Sequence, residues 1–351
     1  MATLHIFNPE HDISLAAHLA NFTPPRAAWQ LRHDLGWLPA LWAEDGDMVL
    51  VDADMPEPPP EWRLADVQMV TERDLANSPT LRRRIDAVSP WGWDRAVAGR
   101  LSRCGLSDLL PTDEALCQIR RMSHRAFAAT RLLPALVALD GRLVGEAQCV
   151  ATYPPATCQP FVLKSPWSST GRGIRYVTDE ASWRRNQLWA QAVVERQGGV
   201  MVEPLYERVQ DFAMEFLTTP DRETTYLGLS IFQTQNGAYT GNLLAAEAQK
   251  RALLGCYVDL ALLDRVGEVV ARWAKQHLAP HYAGPFGVDM MVVRSANPVP
   301  SETATYRLHP CVELNLRRTM GHVALAIPLT TATEGRLLAM CFDGHHSLQI
   351  V

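Results

Sequence analysis

The run Cys311-Val312-Glu313-Leu314-Asn315-Leu316-Arg317-Arg318 alternates polar and apolar residues. As an extended strand it projects Glu313 and Asn315 from one face, because side chains two apart share a face. Arg317 follows on the same side and offers bidentate contact to a phosphate or carboxylate. Upstream, Gly287-Val288-Asp289-Met290-Met291-Val292-Val293 sets an aspartate inside an apolar strand. A carboxylate there is costly unless a hydrogen-bond network or a cation compensates it. Asp289, Glu313 and Asn315 together form a hard oxygen set of the kind that suits Mg²⁺.

Two earlier stretches complete an ordered series. Lys164 ends an apolar run and is followed by Ser165-Pro166-Trp167-Ser168-Ser169-Thr170-Gly171-Arg172-Gly173. A lysine beside a glycine- and hydroxyl-rich turn can contact phosphate, since backbone N–H groups in such turns point at anions. The lysine precedes the glycines, so this is not a Walker A loop. Taken alone, it reads equally as an ordinary Ser/Gly hairpin. Val200-Met201-Val202-Glu203-Pro204-Leu205-Tyr206 is a strand ending in an acid, with Asp211 eight residues beyond Glu203. The plainer reading there is strand, turn and strand with exposed acids.

The 351-residue chain is long enough for more than one folded domain. Apolar residues make up 47%, enough for two or three packed layers. The net charge of −5 shows no basic excess for nucleic acid. No apolar run is long enough to span a bilayer, and the start lacks the charged residues and long apolar run of a secretory signal, so a cytoplasmic location is expected. Seven scattered cysteines form no CxxC pair and are expected to be reduced and mostly buried.

Strands are expected at Leu4–Phe7, Met48–Val51, Val67–Val70, Phe161–Lys164, Ile174–Val177, Val200–Val202, Phe212–Phe216, Tyr226–Phe232, Gly287–Val293 and Tyr306–Leu314. Helices are expected at 75–88, 113–121 and 124–138 with Thr112 and Ser123 as N-caps, 180–197 stopped by Gly198-Gly199, and 260–278. Strand–helix alternation in the N-terminal part suggests a parallel sheet.

A lysine, a small-residue loop ending in Gly171-Arg172-Gly173, an acidic hinge, an Asp-bearing strand and a final Glu-x-Asn-x-Arg occur in that order. This order resembles the ATP-grasp superfamily over roughly residues 112–330. The resemblance implies an α/β and α+β chain in which two α+β subdomains clasp ATP behind a Rossmann-like pre-ATP-grasp domain. The implied divisions are 1–111 for that domain, 112–205 for the small subdomain with its leading helices, and 206–351 for the large subdomain with the metal site. Lys164 is implied to contact the α/β phosphates, with Ser168, Ser169, Thr170, Gly171 and Gly173 closing over them. Glu203 and the Pro204-Leu205 backbone would hold adenine, and Asp211 the ribose. Asp289, Glu313 and Asn315 would bind two Mg²⁺, with Mn²⁺ as a substitute, and Arg317 would face the transferred phosphoryl group or the substrate carboxylate. The family commonly carries an earlier lysine on a helix; here Met122-Ser123-His124-Arg125 stands in that region, so by the resemblance Arg125 would have to take that role. Glu207–Gln210 is an insertion-like stretch that sets Asp211 apart from the family pattern.

The implied reaction activates a carboxylate as an acyl phosphate for attack by an amine or thiol. A small-molecule kinase and a non-catalytic nucleotide-binding regulator remain as alternatives. Expected partners are small-molecule or peptide-like carboxylates and amines, with a homodimer compatible. Glu10 and His11 follow the first strand, where open α/β sheets bind ligands, and could hold an acceptor amine or a substrate carboxylate. The alternative is a capped turn over Asn8–Asp12. His322, close behind Arg317, is a further candidate for meeting substrate, and Lys250 and Arg251 for approaching phosphate.

Overall fold

The computed structural model describes residues 2–155, 159–168, 173–235, 238–295 and 306–351. The chain begins with β1 Ala2–Ile6, α1 His11–Ala17, α2 Arg26–Asp34, β2 Met48–Leu50, β3 Gln68–Val70, α3 Glu72–Asn77, α4 Pro79–Arg82, β4 Ile85–Pro90 and α5 Arg95–Arg103. The four strands form a parallel sheet in the order β3-β2-β1-β4. Leu4, Ile6, Met48, Leu50, Leu75 and Leu101 build the core beneath it.

The helix expected over 75–88 is a correction. Ser78 accepts from the Leu81 amide and Pro79 follows it, so the first helix stops and a short second one starts. Ile85–Pro90 then pairs with β1 as a strand. Local pattern alone could not show that β1 had an edge to fill.

The next part holds α6 Asp113–Met122, α7 Arg125–Arg131, α8 Leu133–Val137, β5 Gln148–Val150, β6 Phe161–Lys164, β7 Ile174–Val177, α9 Glu180–Gln197 and β8 Val200–Pro204. Its antiparallel sheet runs β5-β8-β6-β7. α9 lays Ala190 and Val193 on Phe161, Leu163 and Val200. Asp179 caps that helix with a reciprocal bond to Ser182, and Gly198 ends it at φ 81°, the left-handed conformation that favours glycine. Thr112 caps α6 as expected. Ser123 does not cap α7: its hydroxyl donates back to the Ile119 carbonyl, and the His124 ring accepts from the Ala126 amide instead. Pro134 divides the expected second helix into α7 and α8.

The remainder comprises β9 Arg208–Thr218, β10 Thr224–Gln235, β11 Ala238–Leu243, α10 Glu247–Gly255, α11 Leu260–His277, β12 Gly284–Arg294, β13 Tyr306–Asn315, α12 Met320–Ala326, β14 Leu337–Phe342 and β15 His346–Ile350. The strands form one antiparallel sheet, β13-β12-β9-β10-β11-β14-β15. One face presents Phe212, Met214, Phe216, Val288, Met290 and Leu314 to α11 residues such as Val266 and Val270. Alternation therefore turns Asp211, Glu215, Asp289, Glu313 and Asn315 to the other face. The parallel sheet docks beside that face through a cluster that includes Phe7, Trp91, Val323 and Leu338.

Of the described cysteines, all six are free; only Cys104 and Cys311 are buried, while Cys149 and Cys256 are exposed, which corrects the expectation of general burial. Cys158 lies outside the described residues. Among the described residues no helix is long and apolar enough to cross a membrane.

Candidate active site

β12 and β13 pair Asp289 with Glu313 and Gly287 with Asn315. Two carboxylates thus stand side by side on one face, with the Asn315 amide beside them. Burial, and next the neighbouring Glu313 charge, push the Asp289 carboxyl well above the usual carboxylate range, while a hydrogen bond from Asn315 works against the shift. That repulsion is what a divalent cation would relieve. The set holds two carboxylates and an amide. Among the described residues no cluster of three or more His, Cys, Asp and Glu is gathered to hold a metal. Hard oxygen donors of this number fit Mg²⁺, which takes further ligands from phosphates and water.

Arg125, at the first turn of α7, reaches this pair from the other wall. Its Nη2 lies 2.7 Å from Glu313 Oε1. The same guanidinium donates to the Ser165 carbonyl, to Ser168 Oγ at 2.9 Å and to the Ser168 carbonyl at 3.2 Å. It therefore ties the loop after β6 to the acid on β13. Ser165 N–H donates to the Gly173 carbonyl at 2.8 Å, closing the base of that loop. A Cβ at Gly173 would lie 2.0 Å from Ser168 Oγ, so the hydroxyl approach needs glycine there. Ser169, Thr170 and Gly171 lie outside the described residues.

Lys164 and Glu203 come from adjacent strands β6 and β8, and Lys164 Nζ lies 2.5 Å from Glu203 Oε2. Both are buried. A buried pair of this kind is costly to break by removing one partner. Leu205 N–H donates to the Pro160 carbonyl at 3.1 Å and is not free here. Asp211 accepts from Thr234 Oγ1 at 2.9 Å and pairs with Arg208 at 2.9 Å. Burial raises its carboxyl, with Arg208 opposing.

Arg317 bridges the two main sheets. Its Nε and Nη2 lie 3.1 and 3.0 Å from Asp12 Oδ2, and Nη2 donates to Asn315 Oδ1 at 2.9 Å. Burial opposes the Asp12 charge, yet Arg317 holds its carboxyl below the usual range. Asp12 was legible only as a turn residue; its partner lies 305 positions away.

Glu10 is 5% exposed and pairs with Arg32 at 2.6 Å. His11 is 1% exposed, and its Nδ1 lies 3.1 Å from Asp94, which also accepts from Asn8, Ser14 and the amides of Ala96 and Val97. His322 is also buried. Its Nδ1 lies 3.0 Å from Thr319 Oγ1 and 3.0 Å from Glu215 Oε2, and its Nε2 lies 3.2 Å from the Phe216 carbonyl. Glu215, which sequence reasoning passed over, sits in a cradle where a Cβ on Gly321 would lie 1.9 Å and one on Gly287 2.5 Å from its oxygens. Burial pushes its carboxyl up to about 8. The Lys250 Nζ donates to the Leu229 carbonyl, and Arg251 pairs with Asp264 at the surface.

No family model and no curated protein sequence matches the chain. Solved structures do. Biotin carboxylase from Campylobacter jejuni superposes with a TM-score of 0.52 at 14% identity, covering 94% of this chain and 72% of that one. N5-carboxyaminoimidazole synthetase from Staphylococcus aureus gives 0.50 at 13% identity, covering 94% and 78%. At such identity the likeness establishes a shared fold and nothing finer.

Proposed function

We propose that this chain, which has the ATP-grasp fold, is a Mg-ATP-dependent ligase that joins a carboxylate to an amine or thiol. The observation that carries the reading is the Asp289–Glu313 pair with Asn315, contacted by Arg125, with the buried Lys164–Glu203 pair on the neighbouring sheet. Similar folds bind adenine nucleotides: the Campylobacter biotin carboxylase was solved as a complex with a βγ-ATP. The proposed three-part division of the chain is 1–111, 112–205 and 206–351.

In this proposal Asp289, Glu313 and Asn315 would hold Mg²⁺, which would supply positive charge against that of the phosphates. Lys164 and Arg125 leave their carboxylate partners Glu203 and Glu313 to take the phosphates, and Ser168 with the loop beyond it closes over them. Glu203 and the Leu205 backbone meet adenine, and Asp211 the ribose. A substrate carboxylate oxygen attacks the γ-phosphorus in line; the bond to the β-bridging oxygen breaks, and ADP leaves. The amine or thiol then attacks the acyl carbon and expels inorganic phosphate. Arg317, oriented by Asp12, holds the carboxylate or the moving phosphoryl group.

The test is a screen of carboxylate and amine pairs for ADP release with Mg-ATP, followed by product analysis. Equal amounts of ADP, phosphate and condensed product support a ligase. A phosphorylated product without free phosphate would instead make the chain a kinase.

A further inference from the structure

Arg125 is a buried cation with one carboxylate to answer it. Its side chain is 6% exposed, and among the described residues Glu313 is its sole carboxylate partner, 2.7 Å from Nη2. Its other bonds are to neutral groups: Nη1 donates to the Ser165 carbonyl and to Ser168 Oγ, and Nη2 to the Ser168 carbonyl. The Arg125 backbone N–H donates to the Pro166 carbonyl at 3.2 Å, which seats the first turn of α7 against the same loop. Arg317 contrasts with it. Arg317 also touches a candidate metal ligand, Asn315 Oδ1, but Asp12 answers its charge. Lys164 is answered by Glu203, which is not in the metal set.

The acid that neutralises Arg125 is thus the acid that a divalent cation needs. Glu313 stands beside Asp289, and two adjacent carboxylates call for a positive charge, which the guanidinium supplies. A second cation on the same carboxylate would meet Arg125 at short range, and like charges a few ångströms apart repel strongly away from bulk water. Nor is there room beside the contact. The cavity that Arg125, Glu203, His309 and Glu313 line holds about 10 Å³, space for about one water and not for a hydrated ion. Moving Arg125 away without a new anion is costly, because the guanidinium would be left buried and unpaired. A phosphate removes that cost, since a guanidinium bonds it in the same two-pronged way as a carboxylate.

We propose that Arg125 guards the metal ligand Glu313: it holds the carboxylate until nucleotide phosphate draws the guanidinium off, so the chain takes up its divalent cation with the nucleotide and not ahead of it. This rests on the Mg-ATP reading of the same site. Coupling of this kind is reciprocal, so metal strengthens nucleotide binding through the same residue.

Mn²⁺ is the probe, titrated without nucleotide and followed by electron paramagnetic resonance in wild type, Arg125→Met, Arg125→Gln and Lys164→Met, each checked for folding by thermal melting. Wild type is expected to bind Mn²⁺ weakly, and both Arg125 variants at least about tenfold more tightly. Arg125→Gln keeps a donor for the Ser165 carbonyl, so it reads the proposal if Arg125→Met does not fold. Adding Asp289→Asn to either should abolish the gain, which places it at this site. Lys164→Met removes a neighbouring charge but frees no metal ligand, and should weaken ATP without the gain in Mn²⁺. The ratio of ATP affinities with and without Mg²⁺ should fall in the Arg125 variants; chelation by free ATP is common to every protein and cancels in the comparison. Two results would overturn the proposal: wild type binding Mn²⁺ as tightly as the Arg125 variants, or an equal gain in Lys164→Met, which would be a general charge effect. Failure of the Mg-ATP reading looks different: no nucleotide binds to wild type, whatever Mn²⁺ does, and the nucleotide trigger proposed here falls with it.

Discussion

At the scale of single residues, the pairing of Arg317 with Asp12 joins regions that the sequence separates most widely. Removing the Asp12 charge leaves the guanidinium without its orienting partner. Asp12→Asn is expected to lower kcat about ten- to a hundredfold, since a small misplacement of a positioning group is costly. The KM for ATP should move less than kcat, because the adenine, ribose and other phosphate contacts proposed for Glu203, Leu205, Asp211 and Lys164 lie elsewhere. Steady-state kinetics on an accepted substrate pair reads both.

Glu215 supplies a second expectation. Its folded value of about 8 exceeds the ordinary 4.5, so the unfolded chain releases the proton first as pH rises. Its contribution is therefore fully present below about 4.5 and is lost as pH climbs toward about 8. His322 beside it is pushed down to about 3 by burial and next by Arg318, which works in the opposite sense as pH falls below 6.5. The groups facing Glu215 are Thr319, His322, Asp289, Arg317 and Arg318, so the melts must be metal-free. Subtracting the Glu215→Gln melting curve from wild type isolates the Glu215 term. Wild type should lose melting temperature relative to the variant between pH 5 and 8. A flat difference would mean that Glu215 is ionised throughout.

Glu313, Asn315 and Arg317 were legible because a period of two needs no tertiary information. Asp12 and Glu215 were not, because their roles are set by Arg317, Gly321 and Thr319 in other parts of the chain.

Among the elements, α12 shows how tightly helix placement and carboxyl placement are linked. Thr319 caps it and donates to Glu215 Oε1 at 2.8 Å, while Gly321 leaves that carboxyl its space. Gly321→Ala is expected to destabilise the protein by about 1–3 kcal/mol through overpacking. A chemical denaturation midpoint checks it, and Glu215→Ala in the same chain should relieve part of the loss. β6, β7 and α9 were read to the residue because their ends carry local punctuation, Asp179 and Gly198 among it. β4 was misread as helix, and β14 and β15 were not seen. Their strand character comes from neighbours, β1 in one case and β11 in the other. Pairing across such distances leaves little trace in a short apolar run.

For the whole molecule, the proposed site draws on all three sheets, with Asp12 following β1, Lys164 and Glu203 on the second sheet, and Asp289 and Glu313 on the third. Ligand binding should therefore stabilise the assembly rather than one lobe. Mg-ATP at about a hundred times its Kd is expected to stabilise it by about 2.7 kcal/mol. Asp289→Asn should lose most of that shift, which thermal melting with and without EDTA reads. The ordered motifs made the fold legible, since their sequence order follows the sheet order of an ATP-clasping chain. Substrate identity was not, because the docked parallel sheet contributes through pairings such as Asp12–Arg317 that no local pattern marks.

The most direct measurement is calorimetric titration of ATP, with and without Mg²⁺, into wild type, Glu313→Ala and Lys164→Ala. The expected result is tight binding that requires Mg²⁺ and weakens at least about tenfold in each variant. Well-folded wild type that binds no nucleoside triphosphate, or binds ATP equally well without Mg²⁺ and with Glu313 removed, would contradict the assignment of Asp289, Glu313 and Asn315 to a Mg-ATP site.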